Sequence, residues 1–102
     1  MFGLLEKDID YITQAIKQFD EIECAIIFGS RAMGNYKKGS DVDIAFMGEK
    51  VSKDTILQLN ELLNETYPLP YFFDLVNYNE ISNIELKRHI DTLGIVIYKK
   101  TI

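Results

Sequence analysis

Two stretches decide the fold: Ile26-Ile27-Phe28-Gly29-Ser30-Arg31, and Ser40-Asp41-Val42-Asp43-Ile44-Ala45-Phe46. The first is an apolar run that stops at a Gly-Ser pair. Ten residues then stand between Ser30 and Asp41, where an Asp-x-Asp heads a second apolar run. The order predicts strand, tight turn, short helix, strand. Residues two apart in a strand point to the same face, so Asp41 and Asp43 project together while Val42 and Ile44 face the core. Two carboxylates side by side repel unless a positive charge lies between them, and a hard oxygen donor set favours Mg²⁺. A Gly-Ser turn leading into a helix leaves backbone N–H groups free, an arrangement that suits a phosphate. A metal site and a phosphate cradle joined by one short connection predict a nucleoside-triphosphate site.

The remaining chain supplies elements that can pack around this pair. Leu5, Ile9, Ile12, Ile16 and Phe19 form one stripe of an amphipathic helix over about residues 4–19. Asp8 and Asp10 lie off that stripe, and Asp20, Glu21 and Glu23 crowd the turn that follows it. Cys24 to Phe28 lacks alternation and reads as a strand covered on both faces. A short helix over 31–36 is weakened by Gly34, and the strand over 41–47 ends at Gly48. Ser52 is positioned to cap a helix over about 53–66, stopped by Tyr67-Pro68-Leu69-Pro70. Tyr71 to Val76 reads as a third strand, apolar except for Asp74. Ser82 and Glu85 have the spacing of a capping box for a helix to about Thr92, with Gly94 as its C-cap. Ile95 to Tyr98 is a last strand. The expected architecture is α/β (α+β): a mixed sheet of about four strands with helices packed on it, in a single domain over residues 1–102.

Asp74 admits two readings. It marks an exposed strand face, or it faces Asp41 and Asp43 from the neighbouring strand and completes a metal site. Lys37 and Lys38 likewise read as a solvated loop or as phosphate-facing charges. His89 is expected at the surface or at a helix end, because nothing in the sequence pairs with it. Cys24, the single cysteine of the chain, is expected as a small core residue and excludes an internal disulfide.

Bulk properties narrow the function class. The chain has 102 residues, 47% of them hydrophobic, and a formal net charge of −5. Binding of a long nucleic acid relies on clustered Lys and Arg, and this chain has only Arg31 and Arg88 as arginines. No apolar run reaches membrane-spanning length, and the N-terminus does not read as a signal peptide. The expected location is the cytoplasm.

The Gly-Ser pair, the spacer and the Asp-x-Asp resemble the signature of the DNA polymerase β-like nucleotidyltransferases. Phe28-Gly29-Ser30-Arg31-Ala32 with Ser40-Asp41-Val42-Asp43-Ile44 looks most like its minimal nucleotidyltransferase branch, small proteins often found as the antitoxin half of a pair with a HEPN-domain toxin. The resemblance implies a third carboxylate from a strand placed as Asp74 is, with catalytic and metal-binding roles for Asp41, Asp43 and Asp74 and nucleotide-binding roles for Gly29, Ser30 and Arg31. It further implies two Mg²⁺ ions, ATP as donor, NMP transfer to a hydroxyl, a HEPN-type protein as partner, and a homo- or hetero-oligomer. One departure stands out: Met33 occupies a position where that branch commonly carries arginine. Two other readings remain open at this level: a transferase acting on a small molecule, as in aminoglycoside modification, and an antitoxin that blocks its toxin by contact alone.

Overall fold

The structure is a computed structural model in which residues 1–101 are described. Four helices and four strands alternate: α1 (Glu6–Lys17), β1 (Cys24–Phe28), α2 (Ser30–Met33), β2 (Val42–Met47), α3 (Lys53–Glu61), β3 (Phe73–Asn77), α4 (Ile84–Leu93) and β4 (Ile95–Lys99). The strands form one mixed sheet in the order β3-β2-β1-β4. β1 runs antiparallel to both β2 and β4, whereas β2 and β3 are parallel, joined by the crossover that contains α3. The expected mixed four-stranded sheet with packed helices is the fold observed. No helix among the described residues is long and apolar enough to cross a membrane.

The two faces of the sheet are covered unequally. Ala25, Ile27, Val42, Ile44, Phe46 and Phe73 pack against Ile12, Ala15 and Ile16 of α1 and against Leu59 and Leu63. On the opposite face, Ile26, Phe28 and Ala45 meet Ile90 of α4. The central strands are therefore apolar on both sides, which explains the missing alternation in Cys24–Phe28.

Several boundaries differ from the sequence expectation. The α-helix begun by Ser52, whose Oγ accepts the Thr55 N–H at 3.2 Å, stops at Glu61 instead of reaching Thr66. A single π-helical turn, Leu62–Thr66, takes over. The cap of α4 is Asn83, not Ser82: the Asn83 Oδ1 accepts the Leu86 N–H at 3.1 Å. The short helix after the Gly-Ser pair closes at Met33, and Gly34 takes the left-handed conformation behind it. β2 begins at Val42, so Asp41 stands just before it. A 3₁₀ turn, Tyr78–Glu80, follows β3 and had no expectation attached to it.

Asp8, set off the apolar stripe in the sequence, is 2% exposed. Its carboxylate accepts the Leu5 N–H at 3.0 Å and the Tyr71 hydroxyl at 2.9 Å, which compensates its burial and ties α1 to the approach of β3. Two of the acids after α1 also find partners, with Glu21 accepting the Thr55 hydroxyl at 2.7 Å and Glu23 the Glu49 N–H at 3.4 Å.

Candidate functional site

The end of the sheet where β1 finishes and β2 starts collects the residues singled out in the sequence. Phe28 is paired with Asp43 across the antiparallel ladder, and Asp43 with Asp74 across the parallel one. Parallel register puts Asp43 and Asp74 side by side on the face that α4 covers, and alternation sends Asp41 to that face as well. Asp74 is exposed, as its first reading has it, and stands beside Asp43 in register, the placement its second reading requires.

Asp43 is half-buried, while Asp41 and Asp74 are exposed. Burial raises the Asp43 carboxyl first, the Asp74 and Asp41 carboxylates raise it further, and His89 pulls it down; the result is about 6 instead of 3.8. Like charges here create the electrostatic demand that a divalent cation would meet. An all-carboxylate donor set fits Mg²⁺ or another hard cation. The three side chains are not drawn in as a closed cage: among the described residues no three acidic, histidine or cysteine groups form a ready-made metal cluster.

Gly29 takes φ +75° and ψ −155°, a conformation costly for any residue with a Cβ. A Cβ built there would also collide with Asp43 Oδ2. Glycine is required twice at this position, once by the turn and once by the carboxylate lying against its Cα. Ser30, half-buried, opens α2 immediately beside it.

Arg31 does not offer its fork of donors to a phosphate, as the resemblance implies. It is 3% exposed, and its guanidinium is committed within the fold. Nε and Nη2 donate to the Ser40 carbonyl at 3.1 and 2.8 Å, and Nη1 donates to the Phe2 carbonyl at 2.8 Å. The rings of Tyr36 and Tyr71 lie 5.2 and 5.1 Å from its Cζ. Arg31 therefore clasps the two ends of the motif loop, and through Ser40 it fixes the peptide that carries Asp41. Lys37, Lys38 and Met33 are all exposed, so the loop's free positive charge belongs to the lysines.

His89 departs furthest from expectation. It is neither at a helix end nor on an open surface: it lies inside α4, half-buried, and its Nε2 accepts the Gly29 N–H at 3.0 Å. Its ring meets Phe28 edge to face at 6.2 Å between centroids. Only the helical periodicity around Ile90 hinted at which way this residue points. A cavity of about 410 Å³, lined by Cys24, Met47, Gly48 and Lys99 among others, lies at the far ends of β1 and β2, away from the aspartates.

With that geometry in place, comparison with known proteins separates the fold from its use. No curated protein matches the sequence. Among solved structures the chain is similar to a chain of a toxin–antitoxin complex with AMP-PNP, at TM-score 0.75 and 20% identity over 90% of this chain and 73% of that one. It is similar to a chain of the tri-AMPylated Shewanella oneidensis HEPN toxin in complex with MNT antitoxin, at TM-score 0.70 and 18% identity over 93% and 72%. A chain of the MntA-HepT toxin–antitoxin matches at TM-score 0.70 and 17% identity over 94% and 74%. These likenesses establish a shared fold. The sequence model described as "Polymerase beta, Nucleotidyltransferase" matches residues 10–102, nearly the whole chain and all of the site. The chain belongs to the polymerase β nucleotidyltransferase family.

Proposed function

We propose that the chain transfers AMP from ATP to a hydroxyl side chain, most naturally a tyrosine, of a separate helical HEPN-type toxin, and thereby acts as its antitoxin. The observation that carries this reading is the register of Asp43 with Asp74 beside the Gly29–Ser30 turn. The resemblance of the fold to chains from toxin–antitoxin complexes, one solved with AMP-PNP and one with an AMPylated HEPN toxin, supports the donor and the partner.

Each residue has a task. Gly29 lets the backbone approach the triphosphate, and Ser30 offers its N–H and hydroxyl to a phosphate oxygen. Asp41, Asp43 and Asp74 would hold Mg²⁺, which when bound neutralises charge on the triphosphate and on the attacking oxygen. Asp74, exposed at the sheet edge, takes the proton of the acceptor hydroxyl. The hydroxyl oxygen bonds to the α-phosphorus and the bond to pyrophosphate breaks, so positioning and charge do most of the work. Arg31 acts at one remove, by holding Ser40 and hence Asp41.

A protein acceptor is favoured over a long nucleic acid by the net charge of −5. The test is co-purification with the partner and mass spectrometry of that partner after incubation with ATP and Mg²⁺. The partner should gain the mass of AMP. Asp74→Asn should keep the complex and abolish the gain, the pattern of a lost base on an intact surface. A partner that binds but never gains mass would leave inhibition by contact alone.

A further inference from the structure

Gly29 is held on two sides. Asp43 Oδ2 lies against its Cα, and its N–H donates to His89 Nε2 of α4. The donor and acceptor are 60 residues apart in sequence, so this contact forms only when α4 has docked on the sheet. An imidazole nitrogen accepts through its lone pair, so in this contact the Nε2 facing Gly29 carries no hydrogen. The ring is steadied by its edge-to-face contact with Phe28, the residue just before Gly29, and the helix that carries it is seated on the sheet by Ile90, which is 1% exposed. Glycine reaches φ +75° without strain, so sterics alone do not fix this turn and a hydrogen bond at the Gly29 N–H restrains its peptide.

We propose that His89 is a positioning residue of the nucleotide cradle: by accepting the Gly29 N–H it fixes the plane of the Phe28–Gly29 peptide and aims the Ser30 N–H and hydroxyl at the phosphate. The Gly29 amide stays with His89, so the phosphate is met by Ser30. The proposal deepens the transferase reading and rests on it for its kinetic arm, but not for its structural arm. It also gives α4 a part in the site although the helix carries none of the proposed metal ligands.

The structural arm uses the protein without nucleotide. In ¹⁵N-resolved NMR, His89→Ala should move the Gly29 amide proton upfield, as expected when a hydrogen bond is lost, and leave the central-strand amides unmoved. His89→Gln should restore the shift, because a glutamine side-chain oxygen reaches about as far as Nε2. The kinetic arm measures AMP transfer with ATP and Mg²⁺. His89→Ala should lower turnover about three- to tenfold, the worth of one neutral hydrogen bond, and His89→Gln should recover most of it. An unshifted Gly29 amide in His89→Ala would overturn the proposal, as would a His89→Gln variant no better than alanine in both arms, which would assign the ring a packing role against Phe28. If the alanine variant fails to fold, the glutamine variant alone decides: a native-like Gly29 shift supports the proposal and a lost one overturns it. Wild-type protein that never transfers AMP would fail the transferase reading while the amide shifts still judge His89.

Discussion

Asp43 is partly buried between two other carboxylates, and its stability effect has a definite sign. Its carboxyl is raised to about 6 in the folded chain, against an ordinary value of about 4 in the unfolded one. Between those values the folded state binds a proton that the unfolded state does not. Stability conferred by that proton is therefore present at the acid end of the window and lost as pH rises through about 6. Asp43→Asn should melt higher than wild type at neutral pH, and the gap should close toward pH 4. Mg²⁺ should close it at neutral pH by stabilising only the wild type. Thermal melts across that range check this, and a gap that ignores pH would remove ionisation of the half-buried Asp43 as its source. Gly29, Ser30, Asp41 and Asp43 were legible in the sequence because the turn and the pair of acids are written in one contiguous string. The contacts of Arg31 and His89 were not, because their partners Phe2, Ser40 and Gly29 are brought to them only by folding.

The elements themselves were read closely, since periodicity and proline breaks are local signals, and the errors fall where tertiary contact chooses between equals. Serine and asparagine cap helices about equally well, so nothing local ranks Ser82 below Asn83; the seating of Leu86 and Ile90 on the sheet sets the frame. The π-helical turn Leu62–Thr66 has a comparable cause. It presents Asn64 to the edge strand β3, where its Oδ1 accepts the Phe73 N–H at 2.8 Å and its Nδ2 donates to the Phe73 carbonyl at 3.0 Å. One carboxamide thus serves as the missing neighbour of the strand that carries Asp74. Asn64→Ala should cost about 1–3 kcal/mol in chemical denaturation, the worth of two hydrogen bonds at a half-buried site. It should also lower transfer, since Asp74 directly follows the residue set loose. A variant with full stability would mean that water replaces the carboxamide without loss.

At the scale of the whole molecule the sheet is lopsided. α1, α3 and the turn after α3 close one face around a core of fully buried side chains, and α4, flanked by Tyr78 and Ile81, covers the other with Ile90 as its buried anchor. Ile84 and Leu93, at the two ends of α4, are 71% and 49% exposed. The sequence showed four helices and four strands but not this imbalance, because an amphipathic stripe does not say which face of a sheet it will meet. The imbalance divides the chain by the free energy needed to open each part. Amide hydrogens of α4 should exchange with deuterium through a local opening that barely depends on denaturant, whereas those of Ile26, Ile27, Ile44 and Ala45 should wait for global unfolding. Exchange of both groups at one common rate limit would mean a single cooperative unit. If the helix opens first, the Gly29 amide loses its acceptor before any strand has parted, and the nucleotide cradle becomes the first feature of the native state to be erased and the last to be restored.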